Sequence, residues 1–198
     1  MDNKDLKLFF PTPIWTSVIS DYDNINIEIL KYIKNLKKDD HQGIKKSNFL
    51  GWHSKDFSLT TNEVGKFING IFPKIQNALD DLGWDKEKNE VKITSMWAII
   101  NKKNAYNGRH IHANNYISAA YYVKAPKDCG DIIFYDPRDA KTIRKPSISN
   151  SNQLNSEVVS VTPQEGLLVL FPSYIHHSVN PNNSEDERIV ISFNINLI

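Results

Sequence analysis

At 198 residues, with 40% hydrophobic and 24% charged side chains, the chain has the size and composition of one soluble globular domain that buries a core without covalent staples. A formal net charge of +1 provides no global field for nucleic acid or an acidic membrane surface. The lone Cys129 excludes an internal disulfide and any cysteine-built zinc or iron–sulfur centre. Asp2, Lys4, Asp5 and Lys7 interrupt the apolar run a signal peptide needs, and no stretch approaches the roughly 20 apolar residues of a membrane span, so a cytoplasmic setting is expected.

In chain order, residues 6–15 read as an edge strand, because Pro11 and Pro13 cannot donate to a central ladder. Such an edge pairs with its own sheet or with a second copy, which makes a homodimer one expectation. Residues 24–38 place Ile25, Ile29, Ile33 and Leu36 at helical spacing behind Asn24, a candidate N-cap. Residues 61–82 carry a longer apolar stripe through Val64, Phe67, Ile71, Ile75 and Leu79, with Gly83 suited to the C-terminal cap. Pro73 is expected to kink or split this helix. The segment between the helices, with Trp52, His53 and Phe57, reads as irregular. Seven strands follow, at 91–100, 116–123, 131–135, 157–161, 167–171, 176–179 and 188–195. Separated by Asn, Pro, Gly and Ser clusters, they indicate an antiparallel sandwich or barrel with the helices on the outer face of one sheet. One domain therefore spans 1–198, with residues 1–88 as strand and helical support and 89–198 as the β core. Residues 147–153 read as a mobile loop long enough to cover an active-site mouth.

Four of the six histidines fall in two pairs on the expected sheet. His110 and His112 lie two apart, and on an extended segment side chains at i and i+2 share a face. His177 arrives from a later strand, and in a jelly roll both clusters fall at one end of the barrel. Imidazoles suit iron, zinc, copper or nickel rather than magnesium or calcium. For any single strand histidine, a hydrogen-bonded structural role is the simpler alternative. In the last strand Ile189, Ile191, Phe193 and Ile195 form an apolar face, while Arg188, Val190, Ser192 and Asn194 form the other. An Arg on a lumenal face presents two parallel donors to a carboxylate, as Lys cannot; a solvated edge-strand Arg is the competing reading.

The set His110-x-His112, the segment 118–123 (Ser-Ala-Ala-Tyr-Tyr-Val), Asp136-Pro137-Arg138, the segment 171–179 around His176-His177, and Arg188 through Asn194 resembles a family of iron(II)/2-oxoglutarate oxygenases of the prolyl-hydroxylase-like branch. The resemblance runs from about Trp97 to the C-terminus. It implies a double-stranded β-helix, also called a distorted jelly roll or cupin-like fold, and a dioxygenase that uses iron(II), 2-oxoglutarate and O2. It also implies a hydroxylated protein side chain or small molecule, with release of succinate and CO2, and no nucleic-acid or membrane partner. By the same resemblance His110 and His177 are the proximal and distal metal ligands, and Arg188 holds the far carboxylate of 2-oxoglutarate. One of Tyr121 and Tyr122 is expected in the lumen; Tyr121, Ser192 and Asn194 complete the 2-oxoglutarate site. Asn101, Arg109 and Arg138 are candidates to face substrate, and Asp136 to accept a hydrogen bond near the metal. His176 falls on the outer face. The wider superfamily has Asp or Glu where this chain has His112. Three arrangements can be written, a three-histidine site, a site with His112 first and Asn114 near the carboxylate position, or two histidines and water; the three-histidine site of His110, His112 and His177 is the expected one. The alternative function is a cupin-like zinc or nickel protein without oxygenase activity; a further one is a metal-free binding module.

Overall fold

The last strand shows how the sequence builds two layers around one lumen. Its apolar residues Ile189, Ile191, Phe193 and Ile195 are buried beneath two helices, while Val190, Ser192 and Asn194 turn to the opposite side. In the computed structural model, which describes residues 5–85, 87–138 and 146–198, eleven strands and two helices are assigned. They run β1 (Trp15–Val18), α1 (Tyr22–Asp39), β2 (Asn48–Phe49), β3 (Trp52–His53), α2 (Asn62–Asp81), β4 (Val91–Asn101) and β5 (Tyr106–His110). Then follow β6 (Ile117–Lys124), β7 (Ile132–Tyr135), β8 (Val158–Val161), β9 (Leu167–Pro172), β10 (His177–Val179) and β11 (Arg188–Leu197). One sheet has the order β1-β9-β6-β11-β4-β3 and the other β2-β5-β10-β7-β8, with every pairing antiparallel. This is a mainly β fold, a double-stranded β-helix with both helices on the larger sheet.

All seven expected strands are present, with ends shifted by at most two residues. The edge strand at residues 6–15 is displaced: pairing with β9 begins only at Trp15, after the prolines. Helix α1 starts at Tyr22 behind Asp21, and Asn24 lies within the first turn, donating to the Asp21 carboxylate at 2.7 Å. Helix α2 runs continuously through Pro73. The carbonyl that the proline leaves without a donor belongs to Asn69, and both residues lie on the solvent side, where water satisfies it. Meanwhile Val64, Phe67, Ile71, Ile75 and Leu79 hold both halves on the sheet. A buried aromatic of this kind is worth about 3–5 kcal/mol on truncation to Ala, which makes Phe67, packed edge-to-face on Tyr121 at 5.0 Å, a principal support. A second apolar cluster, including Tyr122, Phe134, Val169, Phe171 and Val190, fills the space between the sheets. Among the described residues no helix is long and apolar enough to cross a membrane.

Candidate metal and 2-oxoglutarate site

The antiparallel register between the start of β10 and the end of β5 puts His177 opposite His110, and His112 lies two residues beyond the end of β5. Their ring centroids are 4.2 Å (His110–His177), 5.3 Å (His110–His112) and 5.1 Å (His112–His177) apart. One ring nitrogen from each falls within 4.8 Å of the others. Each ring is anchored through Nδ1: His110 to the Gly108 carbonyl at 2.7 Å, His177 to the Ile175 carbonyl at 3.1 Å, and His112 to Asn194 Oδ1 at 2.7 Å. Carbonyl oxygens only accept, so Nδ1 carries the proton and Nε2 keeps its lone pair, which at His110 accepts a 3.4 Å bond from Ser47 Oγ that a metal would replace. Asn194 is itself fixed, since Oδ1 also accepts from Ser118 Oγ and Nδ2 donates to Ser95 Oγ. Burial pushes His177 down to about 3, with the neighbouring His110 and His112 adding to the shift. Burial likewise lowers His112 to about 4 against the opposing Asn194 bond, and lowers His110 against the Gly108 bond. Neutral imidazoles are the metal-binding form. His176 is exposed, on the other side of the strand.

The cluster opens into a cavity of about 1010 Å³. Val190, Ser192 and Asn194 line it from β11; Arg188 continues their row past Val190, behind the lining and only 1% exposed. Its Nη1 donates to the carbonyls of Cys129, Gly130 and Asn180. Gly130 has φ +88°, and a Cβ there would run into the Asn180 and Pro181 backbone, so this carbonyl nest needs a glycine. The other edge of the fork, Nε and Nη2, is buried without a hydrogen-bond partner among the described residues. An unused pair of parallel donors on a buried cation fits a ligand carboxylate. The residues present therefore fit both iron, through the imidazole set, and 2-oxoglutarate, through the Arg188 fork.

Several expected site residues have other tasks. Tyr121 faces the helices, its hydroxyl donating to Asn26 Oδ1 at 2.8 Å, so it is a core residue; Tyr122 is the one that lines the cavity. Arg138 lies outside the cavity lining and forms a two-pronged pair with Asp136 in the turn after β7, at 2.9 and 2.8 Å. Asp136 is not the Nδ1 acceptor of the three histidines, which bond to Gly108, Asn194 and Ile175 instead. Asn114 is exposed with φ +63°, in the turn after His112, and is not among the residues that line the cavity. None of residues 147–153 lines the cavity. Asn101 does, buried and bonded to Asn107 Oδ1 at 3.1 Å, as does Arg109, which lies over the Tyr135 ring. Ser47, 3.4 Å from His110 Nε2, and the stacked pair His53 and Trp97 also line the cavity, although none of them is a site residue expected from the sequence. The alternation of β4 places Trp97 in one row with Ser95, Ile99 and Asn101, so its lumenal position was available from parity alone.

Fold and site together define a class, the double-stranded β-helix protein with a lumenal three-histidine cluster and a buried arginine, an architecture suited to a non-heme metal oxygenase. Residues 95–194 match the family described as "Putative 2OG-Fe(II) oxygenase", and the chain belongs to that family, whose enzymes use iron(II), 2-oxoglutarate and O2. No curated protein sequence matches the chain. Solved structures with the same fold include a Pseudomonas putida prolyl-4-hydroxylase (12% identity, TM-score 0.63, covering 93% of this chain and 92% of that one). Another is a Trichoplax adhaerens prolyl hydroxylase in complex with a hypoxia inducible factor peptide (15%, TM-score 0.64, 92% and 82%). A third is a non-heme alpha ketoglutarate dependent carbocyclase from nogalamycin biosynthesis (11%, TM-score 0.69, 93% and 79%).

Proposed function

We propose that the chain is an iron(II)- and 2-oxoglutarate-dependent dioxygenase that hydroxylates a protein side chain or a small molecule, releasing succinate and CO2. The observation that carries this reading is the convergence of three imidazoles whose Nδ1 atoms are all tied down. His110, His112 and His177 hold the metal through Nε2. Arg188 takes the far carboxylate of 2-oxoglutarate on its Nε/Nη2 edge. Tyr122, kept protonated because burial raises its pKa, is a second donor toward that end of the lumen. Ile132, Phe171, Val179 and Val190 line the same space and keep it dry. Bound iron(II) with 2-oxoglutarate supplies the activation of dioxygen; one oxygen atom leaves in succinate and the other in the hydroxylated product. A zinc or nickel protein without oxygenase activity would leave the buried donors of Arg188 without a purpose.

The test is anaerobic addition of iron(II) and 2-oxoglutarate, following the weak visible charge-transfer band of the chelate, then succinate on admission of oxygen. The band is expected in the wild type and absent in His177→Ala. An undiminished band in His177→Ala would remove the triad, and wild-type protein that forms no band would remove the oxygenase reading.

A further inference from the structure

We propose that His53 and Trp97 form the substrate station of this cavity, a fixed acceptor and donor that together take an amide group. That the amide belongs to the molecule being oxidised rests on the oxygenase reading above; the binding pair itself does not.

The two rings are built into the large sheet. The β3–β4 register sets His53 opposite Ile99, so Trp97, two positions along β4, is its diagonal neighbour. The rings stack with centroids 5.6 Å apart and planes 9° from parallel. The chain beyond His53 is clamped to β4 by three bonds: Ser54 N to the Ala98 carbonyl, Ala98 N to Ser54 Oγ, and Phe57 N to the Met96 carbonyl. Both side chains line the cavity, and Trp97 also reaches the histidine cluster, 5.6 Å between centroids to His112. A molecule lying against Trp97 is therefore held beside the metal-binding nitrogens.

Each ring presents one unused polar atom of opposite sense. Trp97 Nε1–H is buried with no hydrogen-bond partner among the described residues. His53 Nδ1 donates to the Ser54 carbonyl at 2.7 Å, which leaves the lone pair on Nε2, and among the described residues nothing donates to it. Buried donors are rarely left unpaired, so the indole N–H calls for an acceptor from a ligand. A carboxylate brings acceptors only and leaves His53 unmatched; hydrocarbon matches neither. An amide brings a carbonyl for Trp97 and an N–H for His53, in a plane that suits a wall of flat rings. The shared chemistry is that of a peptide bond or of a side-chain carboxamide.

The test reads indole N–H signals by ¹H–¹⁵N NMR, in metal-free protein and again with zinc(II) and 2-oxoglutarate. Probes are N-acetylglycine N-methylamide for a peptide bond and propionamide for a carboxamide, with propionate and propanol as controls. Trp15 and Trp52 already donate to Asp81 and to the Asp40 carbonyl, so their signals serve as fixed references. The Trp97 signal, identified by sequential assignment or by its loss in Trp97→Phe, is expected to move saturably with at least one amide. Which amide binds tells peptide bond from carboxamide. His53→Phe should weaken that binding about 3- to 10-fold, the worth of one hydrogen bond. The proposal is overturned if neither amide moves the signal, if propionate or propanol moves it as strongly, or if His53→Phe binds like the wild type. Amide binding without zinc or 2-oxoglutarate binding would keep this station and remove the oxygenase reading; the reverse would remove the station alone.

Discussion

Replacing Arg188 with Met removes both of the arginine's tasks, and the ligand-dependent part of the melting shift reads the second one alone, because one edge of its guanidinium serves the fold and the other is unused. Nη1 is spent on three backbone carbonyls, whereas Nε and Nη2 have no partner among the described residues. A ligand at about 100 times its dissociation constant stabilises the folded state by about 2.7 kcal/mol. For a chain of this length each kcal/mol moves the melting temperature by about 2–4 °C, so 2-oxoglutarate should raise it by roughly 5–11 °C in the wild type. Truncating one side of a buried, charged hydrogen-bonded pair costs about 2–5 kcal/mol, a loss of affinity of about 30-fold or more. At the same concentration the variant then sits near three dissociation constants or below, where linkage gives at most about 0.8 kcal/mol and a shift of about 3 °C or less. Met fills similar volume and removes a cation that burial disfavours, while the Cys129, Gly130 and Asn180 carbonyls lose a donor, so the ligand-free variant should melt at lower temperature but still cooperatively. Scanning calorimetry of both proteins, with metal held constant, measures these shifts. A variant that retains the full 2-oxoglutarate shift would refute the assignment of the free edge to a carboxylate.

Three further outcomes follow from the same geometry. Asn194→Ala removes the acceptor that fixes His112 and should weaken metal binding about 10- to 100-fold, as read by zinc or iron(II) titration; unchanged affinity would mean the ring needs no such support. Tyr121→Phe should cost on the order of 1 kcal/mol in denaturant melts by stranding Asn26 while leaving the 2-oxoglutarate shift intact, whereas Tyr122→Phe should diminish that shift; the opposite pattern would exchange the two roles. Metal-free protein should lose stability as pH falls below 6.5. There the unfolded chain takes up protons that folded His112 and His177 refuse until about pH 4 and 3, a slope on the order of 1 kcal/mol per pH unit for each. Above 6.5 both states are neutral and the effect vanishes, so a melting temperature that does not fall between pH 6.5 and 4.5, or a His177→Leu variant with the same slope, would contradict neutral buried rings.

The parts of this fold that repeat every two residues were legible in the sequence. Strand β11 alternates a wholly apolar row with a polar one, and the rows fall on the helices and the lumen as their chemistry requires. His110 and His112 obey the same period. Parity failed where both faces are buried: β6 is apolar on either side, and what separates Tyr121 from Tyr122 is Asn26, on a helix far away in the chain. It also failed where strands are two residues long. β2 and β3 carry no period, so nothing local shows that they pair with β5 and β4, and His53 could not be placed. Arg138 misled because its partner is two residues away, and a locally satisfied cation has no need to reach a lumen.

The position with an imidazole in place of a carboxylate shows what tertiary structure adds. From sequence, three arrangements around His112 can be written, with the three-histidine site preferred. In the fold Asn114 is turned outward, so it stands in no carboxylate's place, while His112 is aimed at the other two histidines by Asn194, whose amide is held in turn by Ser118 and Ser95. A ring that merely filled space would not call for so ordered a mount. Among the described residues lining the cavity Asp56 is the one carboxylate, and it is exposed. With three neutral ligands, a bound divalent ion keeps one positive charge more than it would beside an Asp or Glu. Among the described residues lining the cavity no buried carboxylate offsets that charge, so 2-oxoglutarate held by Arg188 would bring the negative charge the site lacks. The co-substrate thus balances charge in the site as well as filling it, and metal and 2-oxoglutarate should each tighten the other's binding.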